Sequence, residues 1–369
     1  MFLAGDTFHR YRIEEKIGEG GLGFVYRAYD PILHREIALK IVRPEVARTP
    51  SGQLSEAALR LMREGRAVAS LNHRNAVGIF DVGEIDGTPY IAMELAPGKL
   101  LSTYVGDDDV PIRLRIGWLA QIACGLDAAH KEGLVHRDVK PENVMVCDNG
   151  EVKLFDFGVV KRVTAPVLDD SEPNSEPVAT RVGAVMGTPL YMAPEQALGE
   201  AVDGRSDQFA WATLAYELLS GGVHPILGKN PRGVPIVISW FQPGAGPKRL
   251  ADVALELPAG VSDIVMKALS KLPADRFASM GEIVAALEAI GKAMDAAEQA
   301  GDAEIAAAPT MWQPMPIMDA MSGGTSRPRL LSRKAKAWAW ALAGVLVVSV
   351  AVLGYRFGPW GRRHVAQHH

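Results

Sequence analysis

Residues 133–146 read GLVHRDVKPENVMV: six polar or charged side chains set between short aliphatic runs. The apolar flanks suggest a segment that enters a core on both sides, and charge beside a core is costly unless the groups are paired or used. Working outward, other marks appear in order. Eighteen residues after Asp138 stands KLFDFGVV, with Asp156-Phe157-Gly158. Far upstream is IGEGGLGFVY, a G-x-G-x-x-G-x-V run at Gly18, Gly20, Gly23 and Val25. Fifteen residues past Val25 is Lys40 in IALKIV, and downstream is GTPLYMAPEQ with Ala193-Pro194-Glu195. A lone glycine pattern is weak. Five signals in this order at these distances are specific.

The chain has 369 residues, ordinary charge and a net charge of −4, which points away from a nucleic-acid partner. Its two cysteines, Cys124 and Cys147, are far apart. That spacing excludes a disulfide framework, gives no zinc signature and suits a reducing compartment. The start, MFLAGDTFHRYRI, lacks a long apolar run, so no cleaved leader is expected.

Residues 11–43 alternate as strands punctuated by glycine, 54–71 have helical spacing, and 76–95 read as two strands around a turn at Asp86-Gly87. From 112 onward the pattern is mostly helical: IRLRIGWLAQIACGLDAAHKEG, DQFAWATLAYELLSGG and ASMGEIVAALEAIGKAM. A strand-rich part followed by a helix-rich part predicts an α+β chain in two lobes. Residues 291–336, rich in Ala, Pro, Met, Gly and Ser, predict a mostly disordered linker whose first residues extend the last helix or leave it. Residues 337–355, AWAWALAGVLVVSVAVLGY, carry no charge. At about 1.5 Å per residue they span about 30 Å, a bilayer's hydrocarbon thickness. Trp338, Trp340, Tyr355 and Trp360 suit the two interfaces. Arg327, Arg329, Arg333, Lys334 and Lys336 outnumber Arg356, Arg362 and Arg363, which places the N-terminal side in the cytoplasm. The tail 356–369 is too short to fold, so no extracellular sensor domain is expected in this chain.

With these motifs, residues 11 to about 290 resemble a protein kinase domain. Together with the apolar span, the chain is similar to bacterial transmembrane serine/threonine kinases. The resemblance implies a bilobal kinase fold, with a strand-rich N-lobe over about 11–95 and a helical C-lobe over about 96–290. A linker and a single transmembrane helix follow. It also implies phosphoryl transfer from ATP with Mg²⁺, or Mn²⁺ as the alternative ion, to Ser or Thr hydroxyls of protein substrates. The chemistry suits the residues, because this transfer needs positioning and charge neutralisation more than covalent help. Glycines let backbone N–H groups approach phosphates. Ile17, Gly18, Glu19, Gly20, Gly21, Leu22, Gly23, Phe24 and Val25 would form a hairpin lid over the nucleotide. Ala38 and Met145, with Ile17 and Val25, would line the adenine slot or serve plain packing. Met93 would lie behind the slot, with Glu94 and Leu95 as the hinge.

An ammonium among aliphatic neighbours needs anionic company, which for Lys40 would be the phosphates and a helix glutamate. Glu64 falls on the helix's apolar stripe and is the candidate, with Glu56 the alternative. Asp138 would orient the acceptor hydroxyl or take its proton, and Lys140 would add positive charge. Asn143 and Asp156 would hold the metal. The resemblance pairs Glu195 with a buried Arg276 and makes Asp207 the brace of the catalytic loop, although an aspartate there also suits helix capping. Arg137 resembles kinases whose activation loop is ordered by phosphorylation. The loop at 159–186 then offers Thr180 as the leading autophosphorylation site, with Thr164, Ser171 and Ser175 behind it, and Thr188 as the family's structural threonine. Partners would be protein substrates, the membrane through one helix, and a second copy for trans-phosphorylation. Ala212 and Pro97-Gly98-Lys99 depart from the usual pattern without touching the reacting groups. The alternative is a pseudokinase scaffold or nucleotide sensor. Degenerate kinases usually lack one of Lys40, Asp138, Asn143 and Asp156, and here all four stand.

Overall fold

The computed structural model describes residues 2–49, 52–157, 190–226, 246–254 and 256–307. The expected phosphorylation sites, Gly158, Thr188, the linker beyond 307, the apolar span 337–355 and the tail lie outside the described residues. Among the described residues no helix is long and apolar enough to cross a membrane.

The N-lobe is one antiparallel sheet. β1 (Thr7–Phe8), β2 (Tyr11–Glu19), β3 (Gly23–Asp30) and β4 (Arg35–Val42) are followed by two helices, α1 (Pro44–Ala47) and α2 (Glu56–Val68). β5 (Ile79–Ile85) and β6 (Thr88–Glu94) complete the sheet in the order β1-β2-β3-β4-β6-β5. Alternation sends Tyr11 and Ile13 inward while Arg12 stays exposed. Central β4 is buried on both sides: Ile37, Leu39 and Ile41 join Phe8, Tyr11, Tyr26 and Tyr90 on one face, while Val42 packs with Ala47, Leu61 and Ile91 on the other. The turn between β5 and β6 takes positive φ at both Asp86 (50°) and Gly87 (76°), the geometry that Asp-Gly supplies in tight hairpins. Ser55 settles the start of α2: its side chain accepts the Ala58 N–H at 3.1 Å.

The C-lobe begins with β7 (Gly98–Leu100) and α3 (Ile112–Lys131), then β8 (Val144–Cys147) and β9 (Val152–Leu154), which join β7 in a small sheet ordered β7-β8-β9. After these come α4 (Pro194–Leu198), α5 (Gly204–Leu219), α6 (Leu250–Val253), α7 (Val261–Ala268) and α8 (Met280–Ala307). α5 is buried almost all round, which is why its sequence is apolar with little amphipathic contrast. Trp211 on α5 donates its indole N–H to the Leu119 carbonyl of α3 at 3.0 Å. The sequence ends the domain at about 290 and leaves open whether the next residues extend the last helix. α8 runs on to Ala307 through an Ala- and Glu-rich stretch of strong helix formers. Arg113 of α3 holds that extension through Asp295 (2.5 Å) and Glu298 (3.0 Å). Both cysteines are free, as expected.

Candidate active site

The opening segment folds as a loop, a single 3-10 turn at Pro141–Asn143, and β8. Val139 and Val144 are fully buried, and the polar residues between them turn on one another. Lys140 Nζ lies 2.7 Å from Asp138 Oδ2. Asn143 Nδ2 donates to Asp138 Oδ2 at 3.0 Å and to its backbone oxygen at 2.8 Å. With the amide nitrogen so used, Asn143 Oδ1 is the atom left to ligate a hard cation.

Beneath this loop lies Asp207, fully buried in the first turn of α5. One carboxylate oxygen accepts the His136 N–H (2.8 Å) and meets His130 Nε2 (2.7 Å), and the other accepts the Arg137 N–H (2.8 Å). Arg137 sits at φ 65°, a left-handed conformation that costs a non-glycine residue about 1–2 kcal/mol. Asp203, not Asp207, caps α5 by accepting the Arg205 N–H at 2.8 Å, and Asp207 instead holds a strained backbone in place. Gln196 adds a second hold by donating Nε2–H to the Arg137 carbonyl at 3.2 Å.

Burial drives the His136 pKa below its ordinary 6.5, although Asp207, Asp138 and Asp156 pull the other way. The neutral ring donates from Nε2 to the Phe155 carbonyl (3.2 Å) and accepts the Asp138 N–H at Nδ1 (3.4 Å). It lies 4.5 Å from the Phe157 ring, and the Phe155 N–H reaches the Asn143 carbonyl at 3.1 Å. The catalytic-loop candidates and the Asp156 segment are thus tied together. Asp156 has φ 56°, and its Oδ1 receives the Lys40 ammonium at 2.7 Å.

Lys40, Glu64 and Asp156 line one cavity, otherwise walled by apolar residues including Val68, Ile79, Ile91 and Met93. Arg60 Nε lies 3.5 Å from Glu64 one turn away, whereas Glu56 stands exposed at the start of α2. Of the two candidate glutamates, the structure brings Glu64 to Lys40's cavity.

The glycine run forms the β2–β3 hairpin, closed by the Gly20 N–H to the Gly23 carbonyl at 2.9 Å. Gly18 pairs with Val25 and Glu19 with Phe24. Arg43 anchors the tip: its N–H donates to the Leu22 carbonyl, and its guanidinium reaches Glu19 and lies over the Phe24 ring. The register shifts around Ile17, which is 45 % exposed, as the edge of an open slot would be. Val25 faces Lys40 across one ladder and Ala38 faces Met93 across the next. Met145 stands opposite Lys153 on β8–β9. Glu94 ends β6 and Leu95 follows it toward the C-lobe. At Gly20 and Gly21 an added Cβ would meet nothing within 4 Å, so the lid's backbone is open to a phosphate chain. These residues fit a nucleotide with a divalent ion.

Arg276 and Glu195 form the expected buried pair, bidentate at 2.7 and 2.9 Å, with Ser206 Oγ 2.6 Å from Glu195. Burial raises the Glu195 pKa, but the hydrogen bonds from Arg276 and Ser206 outweigh it and hold the carboxyl below its ordinary range. Two linking residues escaped the sequence reading. Gln196 stands at the third helical position after Ala193, a capping-box place that could have flagged it. Lys153 carries no such local mark.

Residues 11–279 match the family described as the protein kinase domain. The chain belongs to the protein kinase family. Within it, the chain is similar to bacterial serine/threonine kinases. It is 36% identical over 359 residues to serine/threonine-protein kinase PknB of Mycolicibacterium smegmatis, covering 93% of this chain and 54% of that protein. It is 33% identical over 285 residues to a probable serine/threonine-protein kinase of Clostridium perfringens, covering 77% and 38%. The crystal structure of the Mycobacterium tuberculosis PknI kinase domain superposes with a TM-score of 0.58 at 28% identity, covering 79% of this chain and 100% of that one. The chain spans about half, or less, of the length of these curated relatives.

Proposed function

We propose that the chain is a membrane-anchored serine/threonine protein kinase that moves the γ-phosphoryl group of ATP to Ser or Thr hydroxyls of proteins. One observation carries the reading: Lys40 meets Asp156 at 2.7 Å, while the Phe155 backbone ties Asp156 to the Asp138–Asn143–Lys140 cluster. In this reading Asp138 orients the acceptor hydroxyl and takes its proton as the new O–P bond forms and the bond to ADP breaks. Lys140 keeps positive charge 2.7 Å from that carboxylate, beside the reacting groups. Lys40 neutralises the α- and β-phosphates, with Glu64 holding its ammonium in place. Asn143 and Asp156 hold Mg²⁺ or Mn²⁺, and the ion when bound neutralises the phosphate charge. Gly18–Val25 cover the phosphates, while Ile17, Val25, Ala38 and Met145 enclose the base and Glu94 and Leu95 form the hinge.

Incubation with Mg·ATP and a generic protein acceptor tests this, with Asp138→Asn as control and identification of the phosphorylated residues. Transfer to Ser and Thr should fall about 10²–10⁴-fold in the variant. Wild type no faster than the variant would leave the scaffold or nucleotide-sensor reading in its place. We further propose activation by phosphorylation within 159–186, with Thr180 first, promoted by self-association. A phosphopeptide map without phosphate between 159 and 188 would remove that part. The apolar span 337–355 supports anchoring with the kinase domain in the cytoplasm, and recovery of the full chain in the salt-washed soluble fraction would remove it.

A further inference from the structure

Lys153 lies on β9 with its side chain only 13% exposed, and its ammonium sits 2.8 Å from Glu94 Oε1. It reaches from a C-lobe strand to the last residue of the N-lobe sheet. Glu94 is otherwise engaged by the connector between α2 and β5. Its N–H donates to the Gly78 carbonyl at 2.8 Å, and its Oε2 accepts the Gly78 N–H at 3.1 Å. Beside Lys153, the Leu154 N–H donates to the Asn75 carbonyl at 2.9 Å, and the Leu154 carbonyl accepts the Val77 N–H at 2.8 Å. The connector at 75–78 is therefore held by Leu154 from one lobe and Glu94 from the other. Lys153 closes the triangle directly.

What the triangle spans matters. Glu94 stands at the hinge, and Asp156 is three residues past Lys153 on the same short run. Met145 is Lys153's cross-strand neighbour, so the two side chains share one face of the β8–β9 ribbon. A fully exposed pair of this kind contributes little. Here the lysine is largely shielded and its carboxylate is already fixed by Gly78, so little further ordering is needed to keep the contact. We propose that Lys153, through Glu94, is a positioning residue that fixes the distance between the hinge and Asp156 and so sets nucleotide affinity rather than the rate of transfer. The proposal rests on the nucleotide-binding reading above.

The full chain is the material. Lys153→Met keeps length and removes charge, and Lys153→Arg keeps charge. Mg·ADP binding by calorimetry, ATP KM, kcat and Tm are measured on each. Lys153→Met should raise the Kd for Mg·ADP and the KM for ATP about 3–10-fold, the effect of losing one contact of ordinary hydrogen-bond strength, with kcat within about twofold. Lys153→Arg should stay near wild type. Glu94→Gln should weaken binding similarly, and the double variant should be no worse than the weaker single, because both remove the same contact. Wild type that binds Mg·ADP while Lys153→Met binds it equally well overturns this proposal alone, as do losses that add in the double variant or a fall in kcat at unchanged KM. Wild type that binds no Mg·ADP overturns the nucleotide reading and this proposal with it.

Discussion

Glycines of one short run do two different jobs. A Cβ at Gly23 would lie 2.0 Å from the Ile41 carbonyl oxygen and 2.9 Å from its carbon, both backbone atoms that cannot move aside. At Gly21 it would meet nothing within 4 Å. Gly23→Ala should therefore push β3 away from β4 and destabilise the chain by about 1–3 kcal/mol in urea titrations. Gly21→Ala should leave stability within about 0.5 kcal/mol and act only on ATP KM, which should rise as the methyl intrudes on the phosphates. Equal destabilisation by the two would contradict this division. The motif counts Gly23 and passes over Gly21, but only the packing shows what each does. Lys40, Asp138, Asn143 and Asp156 are a different case. Their chemistry demands particular side chains at particular spacings, and the structure sets Lys40 against Asp156 and Asn143 against Asp138. Lys153 was not legible, because it is defined by Glu94, 59 residues away; Gln196 had a legible capping place after Ala193, but its hold on Arg137, equally distant, was not.

At the scale of elements, α5 carries the catalytic loop and α4 is pinned beside it. Asp207→Asn keeps the shape but presents an NH₂ group to N–H donors that need an acceptor. It should cost about 1–3 kcal/mol of stability. It should also lower kcat by more than the lost folded fraction, because Arg137 is freed from its strained backbone. Thermal unfolding read beside kcat separates the two effects, and a kcat loss fully explained by unfolding would count against the brace. The Arg276–Glu195 pair obeys another rule. Removing either partner leaves a buried charge uncompensated, so Arg276→Met should cost about 3–5 kcal/mol. Arg276→Met with Glu195→Met should cost clearly less than the sum of the singles. Additive losses in urea would mean that the two side chains are not coupled. Apolar spacing made α2 and α3 legible, and α5 was legible from its sustained apolar run. The run of α8 past 290 is left open by the sequence, because its composition resembles linker and its hold on α3 comes from Arg113, some 182 residues before Asp295.

Among the described residues, three histidines spread over both lobes share one design. His73 Nδ1 accepts the Asn75 N–H (3.2 Å), His136 Nδ1 accepts the Asp138 N–H (3.4 Å), and His224 Nδ1 accepts the Ile226 N–H (3.3 Å). They stand at the joint between lobes, in the catalytic loop and in the C-lobe. Burial lowers the pKa of each below 6.5; Arg74 adds to the effect at His73, while hydrogen bonds to Phe155 and Leu190 offset it in part at His136 and His224. A proton on Nδ1 would abolish each of these bonds at once. In the unfolded chain the same rings charge near 6.5, so the unfolded state binds more protons as pH falls from there toward the lower folded values. Stability is therefore full above 6.5 and declines below it, by up to about 1 kcal/mol per pH unit for each of the two well-buried rings, His136 and His224. Glu217 opposes this. Burial raises its carboxyl pKa, with Tyr191's hydroxyl lowering it in part, so its contribution is greatest at low pH and is lost as pH rises through the folded value. Between pH 7.5 and 5.5 the histidines cross their unfolded value of 6.5, and their loss is expected to outweigh the gain from Glu217. Urea midpoints at pH 7.5 and 5.5 should fall in that order, and His224→Gln should flatten the difference while keeping the fold. A midpoint that holds or rises at 5.5 would show that Glu217 outweighs the histidines.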